Sequence, residues 1–250
     1  MLVAALTLQA VLGSAGSPCT GKSTQLVPDQ CAAWVSFYDS TNGDGWIGHC
    51  SGLRTDPCAC EGFGGHMVCN DAGTAVTQVA LASNNLKGTI PEAVGAWTNI
   101  TLFDITANFP SLGGTLPASI GNWEHVEVFN VGLNALSGSI PTTIGAWKSC
   151  TLFGVQDNAL GGTLPASMAQ WKNLNYLSTY ANQFSPGALP AFLSFANMTT
   201  CELFDHPDGG ANAFSCPWPV GAKSVCRNMT DRFQDSRYIT DDDCTPVLHA

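Results

Sequence analysis

Histidine is the side chain best suited to general acid–base catalysis, and the histidines of this 250-residue chain are scattered along it. They are His49, His66, His125, His206 and His249. Only His125 lies in the repetitive central part of the sequence, on a predicted connection between two strands. The sequence contains no recognisable motif that combines a nucleophile with a base and a group that orients the base. It therefore predicts that the protein is not an enzyme.

A phosphate-binding chemistry is suggested by Gly16–Ser23, which matches the GxxxxGK[ST] pattern of nucleotide-binding loops. Such a loop holds phosphate with the amides that open a helix, but Pro28 would end a helix starting here within about one turn. No alternation of strands and helices follows to build a parallel sheet behind the loop. The pattern is therefore interpreted as the junction between a leader and an N-terminal arm.

Two groups of side chains have the chemistry of metal ligands. Cys58-Ala-Cys60 lies near His49 and His66, which gives the residue types of a zinc site, although disulfides are favoured for a secreted chain. Residues 241–243 are consecutive aspartates, but they lack the alternating ligands of a dedicated Ca²⁺ loop and are typical of a solvated acidic tail. The sequence predicts neither a metal nor another cofactor.

The composition restricts the class of partner. There are 9 Lys and Arg against 19 Asp and Glu, a formal net charge of −10, and only 11% of the residues are charged. This acidic balance argues against nucleic acid and against anionic membrane surfaces, which both require a basic face. Hydrophobic residues make up 45% of the chain and argue against disorder, and the 11 cysteines indicate an oxidising compartment.

The N-terminal segment predicts secretion. Residues 1–15 contain no charged side chain, are mostly apolar, and place the small residues Gly13 and Ala15 where a signal peptidase requires them. We expect cleavage after Ala15 and a secreted or extracellular location, or the lumen of an organelle reached through the secretory pathway. No later apolar run reaches the roughly 18 residues that a membrane span needs.

The elements that must position any binding residue come from an internal repeat. The string Gly-x-[Ile/Leu]-Pro recurs five times, with spacings of 26, 24, 24 and 25 residues between the prolines. Six residues after the first four prolines stand Trp97, Trp123, Trp147 and Trp171. An asparagine precedes each proline, and in the second unit two inserted residues separate them further. These asparagines are Asn84, Asn108, Asn134, Asn158 and Asn182.

Each recurring residue has a physical role in a stacked coil. An alternating apolar pair before each Asn, such as Phe129 and Val131, predicts the inward face of a short strand. The Asn side chain can bond backbone groups of neighbouring coils, Gly permits a tight bend, and Pro favours a helical turn. The Trp fills the core between coils. Because one unit cannot bury its own apolar face, the units are expected to stack into a solenoid.

The units follow LxxNxLxGxIPxxIGxWxxL, which resembles the plant-type leucine-rich repeat of plant receptor ectodomains, polygalacturonase-inhibiting proteins and protist surface proteins. Trp replaces the usual Leu after Gly-x, a change expected to affect packing and not the fold. The resemblance implies an α/β solenoid, a short curved array with parallel strands on its concave face and disulfide-bonded caps at both ends.

The expected organisation has four parts: a signal peptide over 1–15, an N-terminal arm and cysteine-rich cap over 16–75, five repeats over 76–198, and a C-terminal region over 199–250. This last region combines a degenerate sixth repeat, with Asn212 at the Asn position, a cysteine-rich cap and an acidic tail. Asp29 is expected to cap a helix in the N-terminal part.

The cysteines divide between the two caps. The N-terminal set is Cys19, Cys31, Cys50, Cys58, Cys60 and Cys69, and the C-terminal set is Cys201, Cys216, Cys226 and Cys244. Six cysteines permit 15 connectivities, which the spacing leaves open, although the resemblance implies pairing between near neighbours. Cys150 remains and is expected to be a buried free thiol, because it occupies a core position filled by Val126 and Leu174 in other units.

The outward strand positions are the candidate binding surface. One column, Gln78–Leu102–Val128–Leu152–Tyr176, should form a nearly continuous apolar stripe, which either binds a partner or is covered by a cap or loop. The predicted partner-binding residues on this face are Leu102, Asp104, Val128, Asn130, Leu152, Gln156, Tyr176 and Tyr180. The insertion over 204–210 is the second choice for the binding site.

Two further surface features come from short motifs. Asn99, Asn197 and Asn228 each begin an Asn-x-Thr sequon and are expected to carry N-linked glycans in a eukaryotic secretory pathway. Thr89, Thr115, Ser139 and Thr163 occupy one repeat position, and such a column of hydroxyls could order ice-like water. Ice binding is disfavoured, because Thr or Ser is usual there in this repeat type.

The predicted function is non-enzymatic binding of a protein or peptide by the concave and lateral faces of the solenoid. One alternative is a structural subunit of an extracellular or organellar assembly that uses the same face permanently. A further alternative, suggested by the resemblance, is an inhibitor of a secreted hydrolase. A permanent subunit should purify in a stoichiometric complex, whereas a recognition module should be mostly free.

Overall fold

The computed structural model describes residues 18–62, 65–185, 187–188, 197–204, 212, 214–215, 221–229 and 236–238. Its α-helices are α1 (Pro28–Ser40) and α2 (Ala222–Val225). Single 3-10 turns lie at Gly21–Ser23, Gly43–Gly45, Pro57–Ala59, Glu92–Ala96, Ala118–Asn122, Thr142–Ala146 and Ala166–Gln170. The signal peptide predicted for residues 1–15 lies outside the described residues.

The strands form two main sheets along the solenoid, and the first is called the concave sheet here. Its nine strands, in spatial order, are β1 (His66–Cys69), β2 (Val76–Ala80), β4 (Leu102–Asp104), β6 (Val128–Asn130), β8 (Leu152–Gly154), β10 (Tyr176–Ser178), β13 (Thr200–Phe204), β15 (Cys226–Met229) and β16 (Ser236–Tyr238). Pairing is parallel from β2 to β15 and antiparallel at the two ends. The predicted α/β leucine-rich-repeat solenoid is confirmed.

The second sheet has five parallel strands, one from each repeat. They are β3 (Gly88–Thr89), β5 (Leu112–Thr115), β7 (Ala135–Ser139), β9 (Ala159–Gly162) and β11 (Gln183–Phe184), while β12 (Gly187–Ala188) pairs separately with β14 (Phe214–Ser215). Thr89 lies opposite Gly113 and Thr115 opposite Ser137, so successive hydroxyls are displaced by two residues, about 6.6 Å. The straight column of hydroxyls expected from the repeat is therefore wrong. Thr89 packs instead against Gly114, whose φ of 78° and missing side chain permit the close approach.

Aromatic side chains from successive coils fill the core between the two sheets. Trp147 stacks between Trp123 and Trp171, with ring centroids 6.4 and 5.5 Å apart and interplanar angles of 11° and 6°. The Trp147 indole N–H donates to the carbonyl of Ile120 in the preceding coil at 2.8 Å. Trp123 and Trp171 make the same bond to Val94 and Ile144 at 3.0 Å. The Trp of this repeat therefore joins coils by packing and by a buried hydrogen bond.

Buried asparagines form a second ladder at the ends of the concave strands. Asn134 donates from its side-chain amide to the carbonyls of Ile105, Val131 and Gly132 at 3.0, 2.9 and 3.1 Å. Its side-chain oxygen accepts from the backbone N–H of Asn108 at 3.0 Å. Asn108, Asn158, Asn182 and Asn212 also bond carbonyls of their own and the preceding coil. These bonds satisfy backbone groups that the turn at each strand end would otherwise leave buried and unpartnered.

The N-terminal cap contains three disulfides, Cys19–Cys31, Cys50–Cys60 and Cys58–Cys69. Cys58 and Cys60 are therefore bonded to separate cysteines and are not thiolate ligands. Helix α1 of this cap packs against the first repeat, and Trp97 donates to the carbonyl of Gln30 at 3.2 Å. The expectation that Asp29 caps α1 is wrong. The helix begins at Pro28, so Asp29 lies inside its first turn and Val27 is the N-cap.

The C-terminal end is joined by Cys201–Cys226, which links β13 to β15 in the ladder. Cys216 and Cys244 lie outside the described residues, and so does most of the predicted insertion over 204–210. Cys201 and Leu203 are buried as the inward pair of their strand, and Phe214 packs on Phe184 with centroids 6.3 Å apart. The open end of the core is thus covered by residues of the region after 199.

Cys150 is a buried free cysteine, as the repeat register predicts. Burial raises the pKa of its thiol far above the ordinary value, and the carbonyl of Leu152 accepts a weak hydrogen bond from Sγ at 3.5 Å. The thiol therefore stays protonated and behaves as a small hydrophobe in the core.

Candidate functional site

The outward face of the concave sheet carries a column of apolar side chains in register. Gln78 pairs with Leu102, Leu102 with Val128, Val128 with Leu152, and Leu152 with Tyr176. Each of these side chains is partly exposed. Because neighbouring strands lie about 4.8 Å apart, the column is a nearly continuous stripe on which an extended partner can lie.

A second column on the same face is polar. Ladder pairing aligns Ala80, Asp104, Asn130, Gly154, Ser178 and Glu202. The Asp104 carboxylate accepts hydrogen bonds from the backbone and side chain of Thr106, and Asn130 accepts from the backbone N–H of Gly132 at 3.2 Å. These local bonds fix Asp104 and Asn130 in position while leaving them partly exposed.

A third column lies just beyond the strand ends, where backbone bonds still connect the coils. The N–H groups of Ala107, Leu133 and Asp157 donate to the carbonyls of Gly132, Gln156 and Tyr180 at 3.0, 2.8 and 3.0 Å. Gly132, Gln156 and Tyr180 therefore lie side by side. The structure brings the eight predicted partner-binding residues onto one face, across strands β4 to β10 and the turns that follow them.

Gln156 differs from the exposed side chain that simple alternation predicts, because it is only 8% exposed. A side-chain carbon at Gly132 would lie 2.4 Å from Gln156 Nε2, and one at Gly154 would lie 3.1 Å from Oε1. The amide of Gln156 thus folds down into space left by two glycines. Its Oε1 is buried and has no hydrogen-bond partner.

Tyr176 and Tyr180 form the end of this surface. The Tyr176 hydroxyl lies 3.4 Å from Glu202 Oε2, which also accepts from Ser178 Oγ at 2.8 Å. Burial, and next the charge of Glu202, raises the pKa of Tyr176. Burial also raises the pKa of Tyr180, and the negative charge of Asp157, to which its hydroxyl donates, adds to the effect. Both rings are neutral hydrogen-bond donors and half-buried aromatic anchors.

Sequence reasoning missed an apolar pair at the edge of this surface. Phe109 is 69% exposed and Leu133 is 39% exposed. The N–H of Phe109 donates to the carbonyl of Leu133 at 3.1 Å, so the two residues lie on adjacent coils. Phe109 belongs to the two-residue insertion of the second repeat, and that irregularity was the available signal.

The described residues contain no cluster of three or more His, Cys, Asp or Glu side chains that could hold a metal ion. His66 lies on β1 opposite Ala80, at the N-terminal edge of the concave sheet, and His49 and His125 lie in connections. His206, His249 and residues 241–243 lie outside the described part of the chain. The outward face of the concave sheet presents apolar side chains, aromatic rings and hydrogen-bonding groups.

The sequons differ in what the structure describes. Asn99 and Asn197 are exposed, and Asn99 lines a depression of about 570 Å³ together with Val27, Asn122 and the Glu92–Ala96 turn. Asn228 lies on β15, and its side chain is outside the described residues. Within the described ranges no helix has the length and hydrophobicity needed to traverse a bilayer.

Solved structures similar to this chain include leucine-rich-repeat ectodomains of plant receptors. The PEPR1–AtPEP1 structure matches with a TM-score of 0.61 and 20% identity, over 81% of this chain. The ectodomain of the receptor kinase SOBIR1 from Arabidopsis thaliana matches with a TM-score of 0.55 and 20% identity, over 83% of this chain and 99% of its own. The ectodomain of the Arabidopsis receptor kinase HAESA, in complex with an IDA peptide hormone ligand, matches with a TM-score of 0.50 and 21% identity, over 62% of this chain.

The chain spans 29% of the PEPR1 chain and 26% of the HAESA chain. No protein-family model and no curated protein sequence matches it. At these identities the likeness establishes the fold, a plant-type leucine-rich-repeat solenoid with disulfide-bonded ends.

Proposed function

We propose that this protein is a non-enzymatic recognition module that binds a protein or peptide on its concave sheet and the adjoining lateral surface. The observation that carries this proposal is the in-register column of partly exposed apolar side chains from Leu102 to Tyr176. A stripe of this kind, ending in aromatic residues with hydroxyl donors, has the composition of a protein-binding surface.

The structural comparisons support the same proposal. Two of the similar ectodomains are named in complex with a peptide or partner, AtPEP1 and the IDA hormone. A solenoid presents a rigid surface that loses little conformational entropy on binding, which suits it to extended ligands. The proposed surface of this chain comprises Leu102, Asp104, Val128, Asn130, Leu152, Gln156, Tyr176 and Tyr180.

We further propose that the protein acts outside the cell or in a secretory lumen and carries N-linked glycans. The described disulfides support an oxidising compartment, and Asn99 and Asn197 are accessible to modification. Replacing Asn99 or Asn197 by Gln in protein secreted from eukaryotic cells should each remove one glycan from the intact mass. An unchanged mass in both variants would contradict this proposal for these two sites.

The binding face is tested by replacing Tyr176 and Tyr180 together with Ala. We expect the double variant to lose most of its affinity for the partner captured from native extracellular material, measured by quantitative pull-down and mass spectrometry. Both rings are only partly buried, so we expect the free energy of unfolding to fall by about 2 kcal/mol, through lost packing and the hydrogen bonds to Glu202 and Asp157, which is less than for a fully buried core Trp.

Ile47→Ala is the matched control, because Ile47 is 74% exposed but lies in the N-terminal cap. It should bind the same partner as the unaltered protein does. Equal capture by the Tyr variant would contradict the proposed binding face, and the insertion over 204–210 would then be tested next. A partner that stays bound in stoichiometric amount through purification would favour a permanent structural subunit.

A further inference from the structure

We infer that the surface around Gln156, with Gly132, Leu133, Phe109 and Asp157, is a subsite for a cationic side chain of the partner polypeptide, a Lys or Arg adjacent to an apolar residue. This inference rests on the proposed function and specifies which chemistry the partner must present. Four observations on the described residues carry it.

The first observation is an acceptor without a donor. Gln156 is only 8% exposed, and Oε1 of its side-chain amide has no hydrogen-bond partner. Buried acceptors nearly always have a hydrogen-bond partner, because a buried acceptor without one loses its hydration and gains nothing in return. The side chain is long enough to rotate and present Oε1 to a donor at the surface of the sheet.

The second observation is the shape of the surface beside Gln156. Gly132 and Gly154 occupy positions where other strands carry side chains, and the Gln156 amide lies across them. Neither glycine has a positive φ, so the backbone does not require glycine at these positions. The two glycines leave room for the Gln156 amide to lie against the sheet, and both are buried beside it. Rotation of that amide toward a partner would uncover the backbone at Gly132 and Gly154.

The third observation is the sign of the charges. The strands and flanking turns over 101–107, 127–133, 151–157 and 175–181 contain Asp104, Glu127 and Asp157, and no Lys or Arg. Among the described residues, neither Asp104 nor Glu127 forms an ion pair. A cation is the complementary ligand.

The fourth observation places an apolar contact next to the acceptor. The carbonyl of Gln156 accepts from Leu133, and the carbonyl of Leu133 accepts from Phe109, so the three residues follow one another across adjacent coils. Phe109 is the more exposed of the two apolar side chains. A partner segment can therefore pack an apolar side chain, or the methylene stem of Lys or Arg, on Phe109 and Leu133.

Selection of a phage-displayed random 12-residue peptide library on the full-length secreted protein tests this inference. We expect the enriched peptides to contain a Lys or Arg next to an apolar residue, and individual synthetic peptides to bind more weakly as salt is raised. Replacing that Lys or Arg by norleucine should weaken binding by about tenfold or more. Selected peptides without basic residues, or enriched in Asp and Glu, would overturn the inference.

Variants of the protein locate the contact. Gln156→Leu removes the acceptor at similar volume, and Gly132→Ala places a carbon where the Gln156 amide lies; each should weaken the selected peptide by about tenfold. Gln156→Leu should leave the melting temperature unchanged or raise it, because it removes an unsatisfied buried atom. Adding Gly132→Ala to Gln156→Ala should have a smaller effect than Gly132→Ala alone, because the conflicting side chain is gone.

The result also separates this inference from the proposed function. The selected peptides could lose affinity for the Tyr176/Tyr180 variant but bind Gln156→Leu and Gly132→Ala normally. This result would support the proposed binding face and overturn the cationic subsite. A Gln156→Leu variant that is destabilised and binds normally would show a purely structural role. Failure to select any peptide that depends on the concave sheet would contradict the proposed function and this inference with it.

Discussion

Replacing Trp147 by Ala should lower the free energy of unfolding by about 3–5 kcal/mol, because it empties the middle of the aromatic core. Trp147 is fully buried, stacks on Trp123 and Trp171, and packs on Phe129 with centroids 5.0 Å apart. The change also removes the indole donor to the Ile120 carbonyl, which then keeps only the backbone N–H of Trp123 as a donor. Chemical denaturation followed by tryptophan fluorescence and circular dichroism measures the loss.

Phe109→Ala is the matched control for this prediction, since it also truncates an aromatic ring but at a position 69% exposed. It should change the free energy of unfolding by no more than about 0.5 kcal/mol. Similar losses in the two variants would contradict the assignment of Trp147 to the core. The same comparison tests the solenoid itself, because only stacked coils bury the Trp of each unit between the Trp residues of its neighbours.

The repeating residues could be predicted from sequence because each performs one local task five times over. The inward pairs, the Trp positions and the Asn positions recur in register, and a stacked coil is the arrangement that satisfies all of them together. The buried free thiol of Cys150 followed from the same register. These features depend on contacts between equivalent positions, which a repeat makes visible in a single sequence.

Features that depend on unequal neighbours could not be predicted in this way. Alternation predicted an exposed Gln156, but its burial depends on Gly132 in the adjacent coil, which lies 24 residues earlier in the chain. The exposure of Phe109 depends on the path of the chain through the two-residue insertion of the second repeat. The stagger of Thr89 and Thr115 depends on the packing of a methyl group against a glycine.

The caps show a related limit. Six cysteines in the N-terminal cap permit 15 pairings, and only the fold of α1 and the following turns brings Cys50 to Cys60 and Cys58 to Cys69. The start of α1 was misplaced because Asp29 is a good capping residue by type, whereas Pro28 already has the φ of a first helical residue. Both features belong to segments that occur only once in the chain. Such segments have no equivalent positions in other repeats against which a prediction from residue type can be checked.

Asn134 gives the second large effect. Its side chain makes three donor contacts to the carbonyls of Ile105, Val131 and Gly132 and accepts one backbone N–H, from Asn108. Asn134→Ala leaves the backbone N–H of Asn108 without its acceptor, which costs about 1–3 kcal/mol where water cannot enter. Each of the three carbonyls loses one donor but keeps another, which is the side-chain amide of Asn108 or Asn158 or the N–H of Ala107. The lost second hydrogen bonds to these carbonyls add to this cost, so we expect a loss of about 2–4 kcal/mol in the free energy of unfolding.

Asn173→Ala provides the comparison, because Asn173 is exposed and its side chain donates only to the carbonyl of Lys148 at 3.2 Å. Asn173→Ala should lower the free energy of unfolding by no more than about 0.5 kcal/mol. Hydrogen exchange should locate the damage of Asn134→Ala: the N–H of Asn108, which bonds Asn134 Oδ1, should exchange faster, while amides of α1 should keep their protection. If Asn134→Ala and Asn173→Ala lowered the free energy of unfolding equally, the Asn ladder would contribute little to stability. The stacking of the coils would then depend on the aromatic core alone.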